Sequence, residues 1–507
     1  MGRYLAILEV SQKQAFIFSS NKLKDNIRNS AIIEKVLSPE YIRETLKCEE
    51  YSDSENMVYS GGGHTVLEFD DDTKAKKQIQ ILTEKIYREF RGLEVFAKLV
   101  EYDDFQNAKS NISNLISELE KKKSIRKSAF KQGTYGLEYI DTNTLSAKEA
   151  DVVSLDEIDI EIERKTIEKK LHPEGYKIAK KFEDLGGEKN NSNFIAVVHI
   201  DGNGMGKRVE EFYELIGDVS WNETKKKLRR FSEGIANDFE NAYRRMVNRV
   251  AKAIEQSSNG YFPIRRVITA GDDICFVTEG RIGIECAKIF IEELTSDTCI
   301  NPIDRKGYSA CAGVAIVHQK YPFYRAYQLA EMLCSNAKKY GADISPEDNG
   351  RSISSIDWHI EFGELMDNLS EIRKAYLTED GNRLEMRPYI INAPEIIMND
   401  AKYSAKLYCN FKRILTTVIS RENGYSTGKI KELRAALKAG ENATRYYLQF
   451  NRMTNILVEV GNEKIDLAKM FSGKETEYTV FISQPDGVKR SILFDSIEIL
   501  DTFIAMD

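Results

Sequence analysis

The sequence predicts an α+β protein: two ferredoxin-like domains in tandem, followed by a mainly helical C-terminal domain. Three observations predict it. The order strand, helix, hairpin, helix, strand, helix runs from Tyr4 to Lys122 and returns from Phe194 to Tyr340. Each copy places a glycine-containing turn at the tip of its hairpin. After Asp348 the apolar spacing becomes mostly helical.

In the first copy, Tyr4 to Val10 is an apolar run of strand length, and Lys22 to Leu37 has helical spacing. Met57 to Tyr59 and Thr65 to Phe69 flank Ser60-Gly61-Gly62-Gly63, a hairpin with a glycine turn. Lys74 to Arg91 reads as an amphipathic helix, Val95 to Tyr102 as a strand and Phe105 to Lys122 as a helix, a split β-α-β plan over residues 1–125. Residues 126–190 are polar, with an acidic stretch from Asp151 to Glu163, and read as a linker with one or two helices ending at Gly186-Gly187.

The second copy covers residues 191–348. Phe194 to Ile200 is a strand, Gly202 to Gly206 a glycine-rich loop and Trp221 to Glu255 a long helix. Arg265 to Thr269 and Ile274 to Val277 flank Ala270-Gly271-Asp272-Asp273. A helix (Ile282 to Leu294), a strand (Tyr308 to His318) and a helix (Tyr324 to Tyr340) complete the plan. The chain thus holds a domain-scale duplication with degenerate sequence, in which Glu9 matches Asp201 and the first glycine turn matches the Asp pair. Residues 349–507 read as a separate domain with helices at Trp358 to Ala375, Ser404 to Ser420 and Thr427 to Leu448. A short β tail follows at Asn455 to Val460, Tyr478 to Ser483 and Ser491 to Phe494.

Composition narrows the function classes. The 507 residues are 42% hydrophobic and 30% charged, a balance that supports several buried cores. No run of about 18 apolar residues is present, so no membrane partner is expected. Met1 to Gln14 lacks secretory-signal character, and the seven cysteines form no Cys-x-x-Cys pair, which fits a reducing, cytoplasmic setting. The net charge of -7 excludes a uniformly basic nucleic-acid binder. The basic runs Lys121 to Lys131 and Lys225 to Arg230 read as solvated helix faces.

In a β-α-β-β plan the strand ending at Ile200 pairs with the following hairpin, so Asp201, Asp272 and Asp273 converge. Two carboxylates ~4 Å apart repel by about 4 kcal/mol at an effective dielectric of 20. A hard divalent cation, magnesium or manganese, relieves that repulsion, and two such ions activate an attacking hydroxyl and a leaving pyrophosphate. The loop Gly202-Asn203-Gly204-Met205-Gly206 gives backbone amides close access to a triphosphate. Taken singly, Gly271-Asp272 reads as a turn, Asp201 as a helix N-cap and the glycine loop as flexible chain. Together they point to a metal site for nucleotidyl transfer. Lys338 reads either as a cation for the triphosphate or as a helix lysine favoured by the dipole. His199 reads as a packed core histidine rather than an acid or base, His64 as either, and Trp358 and His359 as packing between domains.

These residues resemble a known family. Ile200 to Gly206 with Ala270 to Asp273, then Ser309 to Ile316, Tyr321-Pro322-Phe323 and Ala330 to Lys338, are similar to the cyclase palm of the large subunit of type III CRISPR complexes. Gln14-Ala15-Phe16-Ile17-Phe18, Asn29-Ser30-Ala31 and the Gly61 turn resemble that subunit's first palm. The resemblance covers roughly residues 1–400. GGDEF-type cyclases share only the second palm.

The resemblance implies a polymerase-cyclase that joins ATP by 3′–5′ bonds into a cyclic oligoadenylate messenger for antiviral defence. It carries the donor site to Asp201 and Ala270 to Asp273, and makes Ser30 and Gly61, Gly62 and Gly63 acceptor-side candidates. Ala270 replaces the first glycine of the family's turn. The sequence opens at the first palm, and none of its five histidines lies in a His-Asp pair, so no DNase activity is expected. The family's cysteine cluster between the palms is missing, so the partner is either an RNA-guided effector complex or a stand-alone activator. The alternatives are a cyclic dinucleotide or GTP-using synthase, and a catalytically silent scaffold that binds guide RNA complexes or nucleotides.

Overall fold

A computed structural model describes residues 3–47, 49–90, 92–102, 108–125, 155–185, 193–217, 219–254, 260–361, 368–418, 426–451, 453, 457–460, 463–466 and 480–506. Of the linker expected over 126–190, residues 126–154 and its end from Gly186-Gly187 onward lie outside these residues, as does the strand start at Tyr478.

The first domain comprises β1 (Arg3–Val10), α1 (Lys13–Ile17), α2 (Leu23–Leu37), β2 (Met57–Gly61), β3 (His64–Phe69), α3 (Asp72–Glu89), β4 (Val95–Tyr102) and α4 (Ala108–Ser124). Its sheet order is β2-β3-β1-β4, all antiparallel. Alternation along β1 divides its side chains between two cores. Ala6, Leu8 and Val10 join the main core with Ile27, Ile33 and Leu82, while Leu5 and Ile7 meet Leu115, Leu228 and Phe231 on the other face. Leu228 and Phe231 belong to a helix of the second domain, so the first sheet is buried partly by its neighbour.

After helix α5 (Leu155–Glu168), the second domain repeats the plan: β5 (Phe194–Gly202), α6 (Met205–Ile216), α7 (Trp221–Ala253), β6 (Ile264–Ala270), β7 (Asp273–Glu279), α8 (Gly283–Leu294), β8 (Ala310–His318) and α9 (Phe323–Ile344). Its sheet order is β10 (Tyr389–Asn392), β9 (Ser354–Glu361), β8, β5, β7, β6, whose last four strands reproduce the first sheet's arrangement.

Three expectations change. The helix expected from Trp358 is a strand, β9 (Ser354–Glu361), parallel to β8, with β10 (Tyr389–Asn392) beyond it. The second sheet therefore continues past residue 348. The reason is visible in Ile356, Trp358 and Ile360, a period-2 apolar row that a sheet buries on one face. Helix α6 was not expected after the glycine loop. The helix expected over Thr427 to Leu448 is two, α10 (Thr427–Lys438) and α11 (Glu441–Phe450), broken at Gly440, whose φ of 104° no helix accommodates.

Candidate active site

The site lies where the two sheets present their hairpin tips to each other. In the second domain Asp201 ends β5 and Asp273 begins β7, and the register pairs them directly. Directly opposed residues share a face with Cβ atoms about 5 Å apart. Asp272 sits between them in the turn, and its carbonyl accepts a 3.3 Å hydrogen bond from the Gly202 amide. A Cβ at Gly202 would lie 3.1 Å from the Asp272 Cβ and 3.2 Å from the Phe239 ring, so any other residue would push strand and hairpin apart by a few tenths of an ångström. Gly271 turns the tip at φ 70°, and its open side faces the Gly62 amide of the first domain.

The electrostatics are those of crowded anions. Burial, followed by the Asp201 charge, pushes the Asp272 carboxyl up to about 6. Burial, then Asp201 and Glu331, push Asp273 up to about 7. Asp273 Oδ1 lacks a hydrogen bond and stands 3.4 Å from His199 Nδ1. Burial lowers the His199 pKa, so the ring is neutral at pH 7 and gives Asp273 no cationic partner. Lys338, from α9, donates to Asp201 Oδ2 at 2.7 Å and to the Gly202 carbonyl at 2.9 Å. It therefore meets the acid trio itself.

Among the described residues, no group of three His, Cys, Asp or Glu side chains is arranged as a formed metal cage. The donors nevertheless fit a hard cation. All are carboxylate oxygens, one is orphaned, and two are pushed toward protonation by burial and then by neighbouring negative charge.

A cavity of about 1080 Å³ separates the domains. Its walls include Ser30, Gly61, Gly62 and Gly63 from the first domain and Gly271, Asp272 and Asp273 from the second. The glycine loop divides differently. Asn203, Gly204 and Met205 line a separate cleft of about 400 Å³ beside Arg208 and Arg351. Gly204 starts α6 at φ 63°, and a Cβ there would meet the Arg351 side chain at 2.3 Å. Gly206 lies in the first turn of α6, with open space where a Cβ would stand.

Lys13, Lys123 and Arg229 also line the large cavity, the last two from the basic runs expected to be solvated helix faces. Lys13 Nζ donates to the Gly62 carbonyl at 3.0 Å, and Lys123 Nζ to Glu9 Oε1 at 2.8 Å. Helix lysines carry no local signal. Only superposing the two copies singles out Lys123, which follows the fourth strand as Lys338 does.

Two facing palm domains, one bearing a strand-end acid and an Asp-Asp hairpin, give the chain a double-palm fold. Residues 194–344 match the family model described as Cas10/Cmr2, second palm domain. No curated protein matches the chain. Among solved structures, a Csm1–Csm4 cassette in complex with one ATP aligns at TM-score 0.53 and 15% identity, covering 99% of this chain and 70% of that one. The cassette in complex with cA3 aligns at TM-score 0.52 and 15% identity, with 99% and 70% covered. The cassette in complex with cA4 aligns at TM-score 0.44 and 15% identity; there this chain covers 54% of the other chain's length and 70% of its own. At these identities the likeness is one of fold: the chain is Cas10-like, with a Cas10/Cmr2-type second palm.

Proposed function

We propose that the second palm is a magnesium- or manganese-dependent nucleotidyltransferase that converts ATP into a cyclic oligoadenylate. The observation that carries this reading is the direct pairing of Asp201 with Asp273 beside Asp272, in a cavity shared with the first palm's glycine turn. Asp201, Asp272 and Asp273 would hold the metal, which when bound neutralises triphosphate charge and favours the attacking alkoxide. The chain's own part is positioning. The cavity, about 1080 Å³, lies at the top of the range of about 300–1,000 Å³ that serves single ligands, and both palms line it. Holding an acceptor 3′-hydroxyl against a donor α-phosphate contributes about 7–11 kcal/mol of barrier lowering. In each step a 3′-oxygen–phosphorus bond forms, the α–β phosphoanhydride breaks, pyrophosphate leaves with the bonding pair, and the hydroxyl proton passes to water. Closure repeats the step within one chain.

The Csm1–Csm4 cassettes of the same fold were crystallised with ATP and with cA3, which agrees with adenine nucleotides as substrate and product. Those relatives also make a Csm4-like partner in an RNA-guided complex the expected setting. The test is mass spectrometry of products after incubation with ATP or GTP and magnesium. Cyclic oligoadenylate from ATP alone, absent in Asp272→Ala with Asp273→Ala, supports the reading. Pyrophosphate release by the double variant at the wild-type rate would overturn it.

A further inference from the structure

A charged side chain taken out of water ordinarily meets an opposite charge. Arg265, in β6, does not. It is 7% exposed, it makes no hydrogen bond or ion pair among the described residues, and its Nε is buried without a partner. Burial pulls its pKa down to about 10, although the carboxylates of Glu163 and Asp159 oppose the shift. Both of those carboxylates are engaged by lysines: Asp159 by Lys24 at 2.5 Å and Glu163 by Lys180 at 2.8 Å.

Arg265 lines a cavity of about 50 Å³ walled by α2 of the first palm, by α5, and by β6 and Tyr243 of the second palm. Its charged groups are Arg265, Arg266, Lys35 and Lys165 against Glu34 and Glu161. Glu161 is shared, lying 3.9 Å from both Lys35 and Lys165. His172 adds no charge, because burial lowers its pKa and leaves the ring neutral at pH 7. Four cations therefore face two carboxylates, and the most buried of the four has no partner. In this measure a water needs about 10–15 Å³ and a drug-sized ligand about 300–1,000 Å³. The space suits an ion of a few atoms and is too small for a nucleotide. It is also remote from the acid trio. Arg265 stands five residues before Ala270 on the same strand, roughly 17 Å at about 3.3 Å per residue.

We propose that this cavity is a buried oxyanion site, in which Arg265 holds one inorganic phosphate, or a tetrahedral ion of the same shape, with Arg266 and Ser30 beside it. The planar guanidinium presents paired donors that match two oxygens of such an ion, and Lys35 and Lys165 supply further positive charge. An ion here touches α2, α5 and β6 together, so it pins the first palm and the linker helix onto the strand that ends at the Gly271 turn. Its chemistry is independent of nucleotidyl transfer by the second palm.

The test is equilibrium dialysis of the full chain against radiolabelled inorganic phosphate, in EDTA and at constant ionic strength. The wild type is expected to bind one phosphate per chain, and phosphate is expected to raise its Tm. Arg265→Met is expected to weaken binding by about tenfold or more and to lose the Tm response. Without phosphate the same variant is expected to fold at least as stably as wild type, because it removes an unpaired buried charge. Should it fail to fold, Arg265→Lys decides: it keeps the charge without the fork, and weaker binding is expected. Lys13→Met, in the large cavity, is expected to bind phosphate as wild type does. No saturable binding by the wild type at millimolar phosphate, or wild-type affinity in the folded Arg265 variants, would overturn the inference. So would binding lost with Lys13→Met, which would put the ion in the large cavity.

Discussion

Asp273, a proposed metal ligand, sits where its charge works against stability. Its proton stays on in the folded chain up to about pH 7, whereas the unfolded chain releases it near the ordinary aspartate value of 3.8. Between those values the folded state binds more protons, so this group's contribution to stability is fully present below about pH 3.8 and is lost as pH rises through about 7. Asp273→Asn keeps the shape without the charge. In the absence of metal the variant is expected to be more stable than wild type at pH 8 and equal to it at pH 4. The side chain is 39% exposed, so solvent screening holds the gain to roughly 1 kcal/mol or less. Urea unfolding at both pH values checks this, and equal stabilities at pH 8 would show that the carboxylate is not electrostatically crowded. Saturating magnesium is expected to reverse the order by stabilising only the wild type.

At the scale of elements, α7 joins the palms. Trp221, Lys225 and Arg229 recur every four residues and so share one face of the helix. Trp221 Nε1 donates to Glu68 at 3.0 Å, Lys225 pairs with the same carboxylate, and Arg229 donates to the Met57 and Asp53 carbonyls. Glu68 is buried in β3 and also accepts from the Tyr102 hydroxyl. Glu68→Ala strands three donors and is expected to cost about 3–5 kcal/mol. Glu223→Ala, an exposed partner of Lys226, is expected to stay within about 0.5 kcal/mol. Thermal unfolding distinguishes them, and an unchanged Tm for Glu68→Ala would mean that α7 does not clamp the domains. Some of this scale was legible in the sequence. Strand and helix periods located β1 and β4 to β8, α2, and α7 to α9 within a few residues. β9 escaped because Trp358 to Ala375 also satisfies a helical spacing, and the parallel partner that decides the matter, β8, lies more than thirty residues upstream. The Lys225 run, read as a solvated face, divides instead: Lys225 is tied to Glu68 and Lys226 to the solvent-side Glu223.

For the whole molecule, what counts is that the palms meet tip to tip. Gln14 and Phe18, from the first palm, dock on α9 of the second. Gln14 Nε2 donates to Glu331 Oε1 at 2.8 Å, and the Phe18 ring lies 4.3 Å from that of Tyr327. Glu331 is one of the charges that lift Asp273, so the contact between domains reaches the acid trio. The duplication was readable from the order of elements, and so was the likeness of Glu9 to Asp201. Lys338 was a candidate from the sequence, but Lys13 and Lys123 were not, because they reach the glycine turn and Glu9 across separations of 49 and 114 positions. The proposed asymmetry between the palms is that the second takes divalent metal and the first does not. Crystals soaked in manganese with a non-hydrolysable ATP analogue test it through anomalous scattering. The account predicts peaks bounded by Asp201, Asp272 and Asp273 and none beside Glu9 and His64. A peak of equal height in the first palm, or an empty second palm at saturating manganese, would contradict it.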